Sequence, residues 1–159
     1  MKYLLILAFL GCFTNLKSNN GDKNLFVHSN KLDTSKYAIL DYETVHWPLN
    51  LDKNSKSFNL SEIDIRQIEY LLDKEVNRIN KANKKKMIKK PSKFYKQLIA
   101  VINSKGEKEV WVNCLCDLVN ASNWKKEPVV VLDGSPCYFN FKVNLTTNVI
   151  YDFILNGVA

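Results

Sequence analysis

The sequence predicts an α+β domain in which one long amphipathic helix packs on an antiparallel sheet of about four to five strands. Three features lead there: an apolar stripe of helical period between Asn59 and Asn80, two-residue alternation repeated from Tyr95 to Leu155, and clusters of turn formers that divide this second stretch. With 159 residues, 46% of them hydrophobic, the chain has enough apolar material to bury one core without covalent staples.

Met1-Lys2 and the apolar run Tyr3 to Leu10 read as a secretory signal, far short of the roughly 20 residues that cross a bilayer core. The run closes on Phe9-Leu10-Gly11-Cys12, which resembles the lipobox of bacterial lipoproteins. That resemblance implies a lipid on Cys12 and a mature protein outside the cytoplasm, as a periplasmic or cell-surface lipoprotein of the envelope. Ordinary signal cleavage, giving a secreted protein, and retention of the segment as an anchor are the alternatives. Residues 1–12 are thus a signal and lipobox segment. Residues 13–33 are polar and asparagine-rich, with too little to bury to offset their ordering entropy, and read as a flexible tether. Residues 34–159 are left as a single domain.

Within it, Tyr37 to Tyr42 is a weak strand, and His46-Trp47-Pro48-Leu49 is extended or turning because the residue before a proline is pushed out of the helical region. The helix follows, with Ile65, Ile68, Leu72, Val76 and Ile79 along one stripe. Asn59 is its expected cap, Glu62 the capping-box partner, and Phe58 with Ile63 the hydrophobic staple. Pro91 prevents continuation, so Lys81 to Lys90 is a fraying end or a loop.

Tyr95 to Ile102 and Glu109 to Cys116 form a hairpin about Asn103-Ser104-Lys105-Gly106, where glycine supplies the left-handed residue. Val110, Val112, Cys114 and Cys116 share the face expected to be the core, opposite Trp111, Asn113 and Leu115. Pro128 to Leu132 reads as a central strand ended by Asp133-Gly134-Ser135-Pro136. Cys137 to Leu145 then sets Phe139, Phe141, Val143 and Leu145 on one face, and Val149 to Leu155 is the last strand. The helix stripe and the Phe139 face each need a partner, and each is the other's.

The formal charge is +7, yet ten of the 23 Lys and Arg fall between Arg78 and Lys105 with no Asp or Glu among them, so the remainder is net acidic. Lys84, Lys85, Lys86, Lys89 and Lys90 are candidates for contact with an anion or a membrane surface, a solvated helix end being the plain alternative. Only Arg66 and Arg78 are arginines, so the forked donors used in reading bases are scarce, and nucleic acid is not an expected partner.

Cys114, Cys116 and Cys137 admit three readings: a disulfide, a thiolate metal site, or buried reduced thiols. An oxidising compartment favours the disulfide. Same-face neighbours on one strand stand about 7 Å apart, at the limit for bridging, so Cys137 must be a partner, and Cys116–Cys137 is the pair singled out. A strand at Pro128 to Leu132 crossing between them argues against it. A metal site lacks a fourth ligand, and no cofactor signature is present. His28 and His46 read as surface or packing residues. An enzyme would need a site assembled from scattered residues such as Asp133, Asp152 and His46.

Glu109-Val-Trp-Val-Asn-Cys-Leu-Cys116, Trp124-Lys-Lys, Val129 to Gly134, Cys137-Tyr-Phe139, Val143-Asn-Leu-Thr146 and Asn156-Gly157 resemble an uncharacterised family of predicted secreted or lipid-anchored Bacteroidetes proteins. The resemblance runs from Leu60 to the C-terminus and implies an extracytoplasmic α+β domain with no catalytic residue assigned. The order of strand, long helix and antiparallel strands is also similar to the cystatin-like arrangement, and Gln97-Leu-Ile-Ala-Val101 loosely resembles its inhibitory hairpin. The expectation is a membrane-tethered, non-enzymatic domain that binds a partner, most simply a protein, with a protease-inhibitor-like module and an enzyme as alternatives.

Overall fold

The computed structural model describes residues 32–45, 49, 51, 52, 54–84, 87–119, 121–134 and 136–157. Cys12, His28, His46, Lys85 and Lys86 lie outside the described residues.

One helix, α1 (Glu62–Ala82), lies on a mixed sheet built from β1 (Tyr37–Ile39), β2 (Lys56–Ser57), β3 (Tyr95–Ile102), β4 (Lys108–Leu115), β5 (Tyr138–Asn144) and β6 (Val149–Leu155). The order across the sheet is β1-β3-β4-β5-β6, and β2 pairs with β3 as well. This is the α+β architecture that the sequence predicts, with the weak strand at Tyr37 present as β1, but the sheet is mixed and β2 is unexpected. β1 runs parallel to β3, pairing Tyr37 with Lys96, and the two-residue β2 runs antiparallel to it, pairing Lys56 with Ile102.

The helix starts later than its sequence suggests. Ser61, not Asn59, is the cap, and its partner is Asp64, whose carboxylate accepts from the Ser61 backbone N–H at 2.9 Å. The Phe58 N–H still bonds to the Ala100 carbonyl beside β3, so Asn59 and Leu60 are spent on leaving the sheet. Ile63 is exposed, whereas Phe58 and Leu60 pack at the rim of the core.

That core is the one the alternation predicts. Ile65, Ile68, Leu72 and Val76 of α1 meet Leu98, Val110, Val112, Cys114, Phe139, Phe141 and Val143, with Ile79 at the margin. The Phe139, Phe141 and Phe153 rings stack with centroids 5.1 to 6.4 Å apart. Lys96 is the unexpected member of this face. Only 1% exposed, its ammonium lies 3.0 Å from Glu69 Oε1 of α1 and donates to the carbonyls of Pro91 and Phe94. Glu69 also accepts from the Tyr37 hydroxyl at 2.7 Å. Buried next to that carboxylate, Tyr37 is held far above its ordinary pKa. Cys114, opposite Lys96 in the register, is a free buried thiol whose pKa burial pushes up to about 12, so it is inert as a nucleophile.

Pro128 to Leu132 is not a strand of the sheet. β4 pairs directly with β5, and the segment between them folds back over the face remote from the helix. There Ile99, Trp111, Ala121 and Trp124 join Ala38 and Leu40 in a second core. Trp111, Asn113 and Leu115, expected on the opposite side from the core, are therefore buried too.

Candidate functional site

The returning segment is held at its base and in its middle. At the base, Cys116 and Cys137 are joined in a disulfide with Cα atoms 5.2 Å apart, and the Cys116 N–H donates to the Cys137 carbonyl. With no strand between β4 and β5, the pairing of Leu115 with Tyr138 carries the two cysteines into reach. The bridge joins residues separated by 21 positions, and the chain-entropy model gives such a closure about 3 kcal/mol. Urea unfolding of Cys116→Ser/Cys137→Ser should show a loss of about that size. A loss within about 0.5 kcal/mol would mean that the loop is fixed without it.

In the middle, two buried amides replace a strand ladder. Gln97 Nε2 donates to the carbonyls of Trp124 and Glu127, and Asn113 Nδ2 donates to Gln97 Oε1 and to the Val129 carbonyl at 2.9 Å. The Val129 N–H returns a bond to Gln97 Oε1 at 2.8 Å. Both polar groups of the Val129 backbone are thus satisfied by side chains, as buried groups require. Beyond it, Asn156 Nδ2 donates to the Val131 carbonyl.

The result is a groove of about 190 Å³ between Pro128–Leu132 and the sheet, floored by Trp111, Asn113, Asn140 and Asn156. Val130 and Leu132 stand 47% and 86% exposed on its outer wall. The alternation of β4 and β5 placed Trp111, Asn113 and Asn140 on one face, but nothing local marked Asn156 or the valine run as their companions.

Other sequence candidates fall elsewhere. Asp133 lies exposed in the turn after Leu132, and Asp152 bonds to Lys142 at 2.9 Å on β6; neither lines the groove. Cys116, Cys137 and Asp117 place their ligand atoms within 4.8 Å of one another, but the sulfurs are bonded to each other and Asp117 accepts from the Tyr138 hydroxyl. Gln97 to Val101 lies inside β3 with its side chains buried, not in a projecting hairpin loop. Lys84, Lys89 and Lys90 are exposed between α1 and Pro91. Comparison of the chain with protein-family models, with curated proteins and with solved structures found no match.

Proposed function

We propose that this chain is an extracytoplasmic, non-enzymatic domain, anchored through a lipid on Cys12, that binds an extended segment of a protein partner in the groove beside Pro128–Leu132. The observation that carries this reading is a recess whose outer wall is fixed in advance by the Cys116–Cys137 disulfide and the Gln97–Asn113 amide pair. A preformed wall spares the ordering cost of binding. At about 190 Å³ the groove is smaller than the roughly 300 to 1,000 Å³ of small-molecule pockets, so it suits one or two side chains of a peptide laid across it. Asn140 and Asn156 line it with amides, the N–H groups of Asn113 being spent on the wall itself, and apolar surface lies between them. The disulfide is compatible with an oxidising compartment, and among the described residues no helix is long and apolar enough to cross a membrane.

Selection from a random peptide library tests the groove. Selected peptides should bind the native protein and lose at least tenfold in affinity to Val130→Asp/Leu132→Asp, with its melting temperature unchanged because both side chains are exposed. Equal binding to both proteins would remove the groove from the proposal. Mass spectrometry of the envelope-extracted protein tests the anchor, which predicts an acylated N-terminal Cys12 and no acylation in Cys12→Ser.

A further inference from the structure

We infer that the end of the domain bearing Lys84, Lys89 and Lys90 is a docking surface for an anionic lipid bilayer, and that it sets which way the tethered domain faces. The inference rests on the tethered reading above. Three observations converge on it. The first is charge: Lys81, Lys84, Lys89, Lys90 and Lys93 are all exposed, on the last turn of α1 and the connection to β3. Of the α1 carboxylates, Glu75 is paired with Arg78 at 2.6 Å and Glu69 with Lys96, while exposed Asp73 accepts from the neutral Asn77 amide.

The second is the way the connection is held. Asn80 grips the backbone of Ile88 with two bonds, accepting from its N–H at 2.8 Å and donating to its carbonyl at 2.9 Å. Ile88 is thereby seated in the core, while Met87 is 58% exposed amid the lysines. An exposed apolar side chain with exposed lysines close to it in sequence suits a headgroup boundary, where the one enters and the others meet phosphate.

The third is where the chain enters. Leu32 packs against the helix-side core, and Lys36 Nζ donates to the Ser92 carbonyl at 3.0 Å, so the tether joins the domain beside the lysine-bearing connection. About 20 residues separate Cys12 from Leu32, and a tether of that length, if it behaves as a random coil, has an average span of about 25 Å. A lipid on Cys12 therefore keeps this end within reach of the bilayer, at a local concentration at which weak contacts are populated. A nucleic-acid partner is less well served. The exposed cations here are lysines without forked donors, and the neighbouring aromatics are committed, Phe94 buried and Tyr95 packed edge-on against Trp124.

The test uses the full chain with Cys12→Ser, so that the lipid plays no part and failure here is separable from failure of the anchor. Co-sedimentation is measured with phosphatidylcholine vesicles and with vesicles enriched in phosphatidylglycerol, at low and high salt. Each lysine at an anionic surface is worth about fivefold in binding, so Lys84→Gln/Lys89→Gln/Lys90→Gln should weaken partition onto the anionic vesicles about 100-fold. Lys105→Gln/Lys125→Gln/Lys126→Gln, the same charge change at exposed sites outside this surface, should alter it only a few-fold. High salt should remove the difference between the triples. Binding through the apolar N-terminal run, which carries Lys2, should be the same in both variants and supplies the baseline. Equal losses in the two triples, no preference of the parent for anionic vesicles, or tighter binding to a DNA duplex than to them would each overturn the inference.

Discussion

Ile68→Asp should leave the domain unfolded, or nearly so, at room temperature. Ile68 is 1% exposed, on the buried side of α1, in the cluster that contains Phe139, Phe141 and Val143. The change forfeits about 2 to 3 kcal/mol of apolar burial and adds several more for a carboxylate with no partner. Domains of this size hold only about 5 to 15 kcal/mol in total. Lys74→Asp, on the exposed side of the same helix, gives up a contact over the Tyr70 ring and should cost about 0.5 to 1 kcal/mol. Thermal unfolding of the two variants decides the matter, and similar melting temperatures would be incompatible with the packing of α1 on the sheet.

Glu69→Ala should be nearly as damaging, for a different reason. It leaves the Lys96 ammonium inside the core with the Pro91 and Phe94 carbonyls and the face of the Tyr37 ring, and it takes the acceptor from the Tyr37 hydroxyl. Removing one member of a buried ion pair costs about 3 to 5 kcal/mol, whereas replacing both by apolar groups is often close to neutral. Glu69→Ala/Lys96→Met should therefore recover most of what Glu69→Ala loses in urea unfolding. A double variant weaker than the single would show that Lys96 stabilises through its carbonyl contacts and not through Glu69.

The sequence made the helix and the strands β3 to β6 legible because each sets apolar residues at a regular period on the face that meets the helix-side core. It failed where partners are distant. Pro128 to Leu132 looks like a buried strand, five apolar residues ended by turn formers, yet the groups that satisfy Val129 are the side chains of Gln97 and Asn113. That false strand was also the objection to the Cys116–Cys137 bridge, and it disappears once β4 pairs with β5. Lys96 occupies a core-facing position of β3, but its burial depends on Glu69 from another element. β2 is Lys56-Ser57, two residues with no strand preference, fixed only by the neighbouring β3 backbone. The groove needed Asn156, which reads locally as a stop signal, to reach Val131.

The way β3 is flanked bears on how such a chain avoids its own kind. β3 is apolar and nearly all buried, the sort of strand that templates aggregation when its rim is open. Its outer rim is shared by two short pieces running in opposite directions, β1 along Lys96 to Leu98 and β2 along Val101 and Ile102. Neither is long enough to extend an ordered cross-β stack. At the far side, β6 is interrupted by a shift in register at Asp152, which takes a φ of 49° and points its carboxylate at Lys142. A charged kink of this kind spoils the straight ladder that an incoming strand requires. Both margins of the sheet are thus blunted by local irregularity, a feature that opposes edge-to-edge pairing between copies.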